Sequence, residues 1–170
     1  IFIIHNGGMP CDMDEIMNIA EKHNLKVIED TAQAFGGEYK GKKLGNIADF
    51  GCISFQAIKL ITGGDGGIIV CKDIEDYKRA KLLKWYGIDR ERQKMRGSLV
   101  PSKYCKLFEQ RAMTFDVDEV GYKYNTTNLT ASIILANMEN IYEYLNHRKK
   151  IAKRYREELK NIKGLTLLKD

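Results

Sequence analysis

Four side chains stand where apolar runs give way to polar residues, and their types suit one kind of chemistry. Asp30 follows Val27 and Ile28, and Gln33 lies three residues on. Ser54 closes the run 50–55, and Lys59 stands five residues later in SFQAIKLITGGDGG. Open α/β sheets hold their ligands just beyond the carboxyl ends of the strands. A turn after Asp30 would let its carboxylate and the Gln33 amide reach one planar ligand. Lys59 is flanked by Ala57, Ile58, Leu60 and Ile61, a setting expected to desolvate the ammonium and favour the neutral amine, which attacks aldehydes. The aldehyde cofactor such a lysine implies is pyridoxal phosphate. Each residue also has a plainer reading: Lys59 as a surface charge, Asp30 as a helix N-cap, Gln33 as an exposed turn residue and Ser54 as a strand-end hydroxyl bonded to backbone.

The elements that must position these side chains follow from hydrophobic periodicity. Residues 1–5 read as a buried strand that ends at His5, either lining a pocket or packed. Asp12 and Glu15 form an N-cap and partial capping box for a helix with Met13, Ile16, Met17 and Ala20 on one face. Asn24 ends that helix, and residues 25–29 form the next strand. A strand, helix and strand in about 30 residues is a βαβ unit with a parallel pair, so the fold class is α/β. Residues 50–55 and 66–71 read as further strands and 74–86 as helical. The polar, basic stretch 90–118 is expected to be a long loop that covers a site or contacts another chain. Helical periodicity returns at Leu129, Ile133, Ala136, Asn140 and Ile141 and passes through Asn146 into HRKKIAKRYREELK. There Ile151, Ala152, Tyr155 and Leu159 share a face, which leaves the basic residues to solvent; His23 and His147 are also expected on the surface.

Composition bounds the remaining classes. The 170 residues are 44% hydrophobic and 30% charged, with 15 Gly and 2 Pro, which describes one globular domain or a piece of a larger one. No apolar run approaches the ~20 residues of a membrane span. Cys11, Cys52, Cys71 and Cys105 show no CxxC spacing, so no metal site and a reducing cytoplasm are expected. Asn125-Thr126-Thr127 and Asn128-Leu129-Thr130 match the glycosylation sequon, but with no signal peptide before them they are read as chance. The net charge of +5 falls largely on the basic helix and on residues 77–111, where a solvated face outweighs a nucleic-acid footprint. GGEYKGKK (36–43) places Lys43 where a P-loop needs Ser or Thr, and the glycines at 63–67 lack the GxGxxG spacing and precede a strand, so neither nucleotide motif is met.

VIEDTAQAFGGEYKGKKLG, followed by SFQAIKLITGGDGGIIV and GYKYNTTNLTA, resembles the DegT/DnrJ/EryC1/StrS family of sugar aminotransferases in motif content and order. The resemblance implies the type I pyridoxal-phosphate-dependent aminotransferase fold, with a mixed, mostly parallel sheet flanked by helices. Residues 1–146 correspond to the central and C-terminal part of the cofactor-binding large domain, and 147–170 to the helix leading into a small domain. It implies Lys59 as the lysine joined to pyridoxal phosphate, Asp30 at the pyridinium nitrogen, Gln33 near the phenolic oxygen and Ser54 on the phosphate. Asn125, in YKYN, resembles the residue that a neighbouring subunit inserts toward that phosphate, which implies a homodimer. The implied reaction moves an amino group from an amino acid, glutamate in this reading, to a nucleotide-linked keto sugar, without nucleic-acid or membrane partners. Lys59 favours transamination, because relatives that dehydrate sugars carry His there.

Two departures qualify the resemblance. Gln56 stands where family members often carry His. Family members are also roughly twice as long, with an earlier Gly-Thr phosphate loop and ring stacker and a later small domain. The missing initiator Met is consistent with a fragment, and a truncated, noncatalytic homologue or a basic α/β binding module is the alternative reading.

Overall fold

The computed structural model describes residues 1–89, 117 and 119–168; the expected loop at 90–118 and Cys105 otherwise lie outside the described residues. The chain forms two compact units, Ile1–Val70 with Thr127–Asp170, and Cys71–Thr126.

The first unit is built on a four-stranded sheet in the order β1 (Phe2–Ile4), β2 (Ile28–Asp30), β5 (Phe50–Ser54), β6 (Gly67–Cys71). β1 and β2 pair in parallel, as do β2 and β5, with Ile4, Asp30 and Cys52 in one row. The crossover between the first two strands is α1 (Met13–Lys22), which confirms the expected βαβ unit. Asp12 is its N-cap residue but makes no side-chain cap bond, so the expected capping box is not formed. With φ −71° and ψ 76°, its backbone leaves the extended region from which a cap side chain folds back onto the helix. Asn24, at φ 51°, ends the helix as expected. β2 starts three residues later than periodicity suggests, because the Val27 N–H goes to the Asp49 carboxylate at 2.9 Å instead of to a strand.

Met13 and Val27 are fully buried and join Ile3, Ala20 and Ala48 in a core completed by Ile16 and Met17. Burial of side chains of this size contributes roughly 1.5–3 kcal/mol each. The GGEYKGKK segment makes a hairpin of β3 (Glu38–Tyr39) and β4 (Lys42–Lys43). Its two turn residues, Lys40 and Gly41, have φ of 48° and 80°, the double positive φ of a type I′ turn. The Lys40 ammonium pairs with Asp14 and ties the hairpin to α1. That ammonium holds the Asp14 carboxyl below its usual range, and the carboxylate holds Lys40 above its own. The pair therefore stabilises the fold above the ordinary carboxyl pKa, and the contribution fades as pH falls through the lowered Asp14 value. At the alkaline end it is complete below the ordinary lysine pKa and fades as pH rises through the raised Lys40 value. Lys40→Met is expected to lower the urea midpoint slightly at neutral pH, and the difference from wild type should vanish in acid.

Two further helices belong to this unit, α3 (Asn128–Met138) and α4 (Ile141–Leu159). Thr127 caps the first, its Oγ1 accepting the Thr130 N–H at 3.2 Å. Asn137 Nδ2 donates to the Thr62 carbonyl at 3.1 Å, which fixes α3 to the loop after Lys59. The basic helix is continuous through Asn146 and His147, but its apolar stripe is not covered as expected: Ile151 and Tyr155 are 43% and 63% exposed. The basic side chains do face solvent, where Arg154 pairs with Glu158 at 2.7 Å.

The second unit holds α2 (Ile74–Leu83), whose N-cap Asp73 Oδ1 accepts the N–H groups of Glu75 and Asp76. The backbone after α2 is met by residues 122–124. Tyr122 N–H donates to the Leu83 carbonyl at 2.7 Å, Tyr124 N–H to that of Lys84 at 2.9 Å, and Tyr86 N–H to that of Tyr122 at 2.9 Å. Arg79 pairs with Glu119 at 2.5 Å.

Candidate functional site

Parallel pairing brings the carboxyl ends of β1, β2 and β5 to one edge of the sheet, and four of the five expected site residues lie there. Asp30 is the last residue of β2 and Ser54 the last of β5. Asp30 is opposite Cys52 in the register, and Ser54 is two residues beyond Cys52, so strand alternation puts both side chains on one face. Asp30 is half-buried, and its Oδ1 accepts the Ala32 N–H at 2.9 Å. Gln33 is exposed and reaches across to the turn after β1, where its Oε1 accepts the Gly7 N–H at 2.9 Å. Ser54 Oγ accepts the Gln56 N–H at 3.3 Å. Lys59 lies in the turn after β5, its own N–H bonded to the Gln56 carbonyl at 2.9 Å.

Lys59 differs from expectation in one respect. Its apolar neighbours do not enclose it: Ala57 is exposed, Ile58 is 81% exposed, and Lys59 itself is only half-buried. The tight turn after β5 sends Ile61 into the core, at 1% exposure, and turns Ile58 outward. Among the described residues its ammonium has no ion-pair partner. Asn125 belongs to the second unit, where its Oδ1 is buried without a hydrogen-bond partner.

Sequence reasoning missed Glu29, the residue that holds this edge in place. Its carboxylate is fully buried and accepts from Gly45 N–H at 2.7 Å, Ile47 N–H at 2.7 Å and Ala48 N–H at 2.6 Å. The fourth contact is His5 Nε2 at 3.2 Å. His5 is also fully buried, and its Nδ1 accepts the Cys11 N–H at 3.1 Å. An accepting Nδ1 makes Nε2 the nitrogen that carries hydrogen toward Glu29. The open choice for His5 is thus settled in favour of a packed histidine, one that anchors the turn where Gly7 meets Gln33. The signal was present in alternation: Val27, Glu29 and Thr31 are all fully buried at a period of two. A carboxylate on the inward side of a strand needs several donors to be tolerated there.

No described group of His, Cys, Asp and Glu could hold a metal ion. Cys11 and Cys71 are thiols outside any disulfide. Burial, with a smaller effect of Asp76, pushes the Cys71 thiol up. Cys71 is therefore expected to alkylate with iodoacetamide more slowly than an exposed thiol at mildly alkaline pH, as mass mapping of the modified chain would show.

The family model of the DegT/DnrJ/EryC1/StrS aminotransferases matches residues 1–170. GDP-perosamine synthase of Escherichia coli O157:H7 is 34% identical over 162 residues, which are 95% of this chain and 39% of that protein. AtS13 from Actinomadura melliaura superimposes with a TM-score of 0.83 at 35% identity, covering 99% of this chain and 43% of that one. The sugar aminotransferase CalS13 from Micromonospora echinospora gives a TM-score of 0.84 at 28% identity, covering 100% and 43%. The chain thus spans about two fifths of the length of the relatives it matches. Its mixed, mostly parallel sheet and helices are those of the type I aminotransferase fold. The chain belongs to the DegT/DnrJ/EryC1/StrS aminotransferase family.

Proposed function

We propose that this chain carries the lysine-bearing part of a pyridoxal-phosphate-dependent aminotransferase, which transfers an amino group from glutamate to a nucleotide-linked keto sugar. The supporting observation is the hydrogen-bonding capacity left over at the sheet edge. Asp30 has one carboxylate oxygen engaged by Ala32 N–H, which leaves Oδ2 to accept from a protonated ring nitrogen. Gln33 has its oxygen engaged by Gly7, which leaves its NH2 to donate to a phenolic oxygen. Ser54 Oγ accepts from Gln56, which leaves its O–H to donate to a phosphate. One acceptor, two donors and an amine are the set that pyridoxal phosphate requires, so the residues fit the group.

The cofactor, when bound, supplies a reactive aldehyde and a cationic ring that stores electrons. The protein supplies everything else. Asp30 would face the ring nitrogen and accept its hydrogen bond. Gln33, braced by Gly7, would donate to the phenolic oxygen. Lys59 would tether the group and, once its amine is free, would serve as a positioned base that carries a proton between the substrate carbon and the cofactor carbon on either side of the shared nitrogen. Asn125 is assigned to the phosphate of a neighbouring subunit in a homodimer. Its unpartnered Oδ1 supports an unmet contact there, since turning the amide exchanges acceptor for donor. Residues 1–146 then belong to the large domain and 147–170 lead to a small one. The setting proposed is the cytoplasm. Among the described residues no helix is long and apolar enough to cross a membrane.

The test is covalent labelling. The chain is incubated with pyridoxal phosphate, reduced with borohydride, digested and mapped by mass. Label on Lys59 that disappears in Lys59→Ala is the expected result. An unlabelled Lys59, or equal label over many surface lysines, would leave only a noncatalytic α/β module.

A further inference from the structure

We propose that the stacked pair Tyr122 and Tyr124 is a platform for the base of a nucleotide, an inference that rests on the nucleotide-sugar reading above. The two rings lie 5.0 Å apart between centroids and only 5° from parallel. Aromatic pairs adopt either offset-stacked or edge-to-face geometry; Trp85 and Tyr86, in the same unit, meet edge-on at 66°. A parallel pair is different, because it leaves a flat outer face open for a third ring. Here that face is available: Tyr122 is 52% exposed and Tyr124 is 73% exposed.

The platform is rigid before any ligand arrives. Residues i and i+2 of an extended segment point the same way, which aligns the two rings. The segment is held by backbone hydrogen bonds from Tyr122 to Leu83 and from Tyr124 to Lys84. Every nucleobase presents a π face, and stacking on an aromatic side chain tolerates the identity of the base. The same backbone bond leaves the exposed Lys84 in the strand-like pairing that carries the rings. An exposed stacked pair with an open ring face suits a third planar ring, which every nucleobase offers.

The experiment measures binding of UMP, GMP and inorganic pyrophosphate to the full chain by calorimetry, with wild type, Tyr124→Leu, Tyr122→Leu and Tyr124→Phe. Circular dichroism checks that each variant is folded. Both leucine variants are expected to weaken the two nucleotides by at least about tenfold, since loss of one stacking ring removes an interaction of that order. Tyr124→Phe should keep the affinity, and pyrophosphate binding should not change in any variant. Leucine variants that bind nucleotides as tightly as wild type would overturn the proposal, as would a wild type that binds nucleotides no better than pyrophosphate. Labelling of Lys59 by pyridoxal phosphate, run on the same samples, keeps the two readings apart. A chain that labels Lys59 but shows no ring dependence loses the platform alone. A chain that binds bases through the rings but leaves Lys59 unlabelled loses the aminotransferase assignment alone.

Discussion

Glu29→Ala is expected to destabilise the fold by about 4 kcal/mol, the range seen when a buried charged partner is removed and the other groups are left unpaired. Three backbone N–H groups, at Gly45, Ile47 and Ala48, and the His5 ring lose their common acceptor in one step. Glu29, His5, Gly45 and Ala48 are buried and Ile47 half-buried, and each unsatisfied buried donor costs roughly 1–3 kcal/mol before relaxation. Glu29→Gln offers no rescue, because it replaces one accepting oxygen with an NH2 that faces other donors. The measurement is the urea midpoint followed by circular dichroism, with the slope compared to confirm that the transition itself is unchanged. A loss below about 1 kcal/mol would mean that the 44–48 loop finds other acceptors and that Glu29 is not its anchor.

The prominence of Glu29 also shows how far the sequence could be read. Strand, helix and strand over residues 1–30 were legible because branched apolar runs flank an amphipathic helix, and local pattern decides such elements. The strand ends were legible for the same reason, since Asp30 and Ser54 close strands, and Lys59 follows one, that their apolar content identifies. Long-range bonds were not legible. β2 begins at Ile28 only because Asp49, 22 residues away, takes the Val27 amide. The hairpin at 38–43 escaped notice because Lys40 adopts a positive φ that its residue type does not advertise. The expectation of a dry Lys59 failed because apolar neighbours in sequence need not be neighbours in space: Ile58 and Ile61 differ from 81% to 1% exposed. Burial among its sequence neighbours therefore does not account for the reactivity proposed for Lys59.

Gly51→Ala should be nearly as damaging as the loss of Glu29, and for a related reason. Gly51 is the register partner of Glu29, so both face the side of the sheet where the 44–48 loop lies. A Cβ at Gly51 would fall 1.9 Å from the Gly45 carbonyl oxygen and 2.6 Å from its carbon. Backbone cannot swing aside as the tip of a side chain can, so the loop must lift, and overpacking of this kind costs about 1–3 kcal/mol, with more where backbone must move. Glu29 draws the loop down through its amides, and Gly51 leaves the space that the loop enters. Removing either undoes the same seat, so Glu29→Ala and Gly51→Ala together are expected to cost less than the sum of the two by at least about 1 kcal/mol. Additive losses would show two independent seats. Because Asp30 projects to the opposite face of β2 from Glu29, folded Gly51→Ala protein should still label at Lys59, though more slowly if the lifted loop loosens the strand ends that carry Asp30 and Ser54. Unchanged labelling rates together with a lowered urea midpoint would confine the loop to stability, while a shared fall in both would make the buried face the support on which the cofactor edge depends.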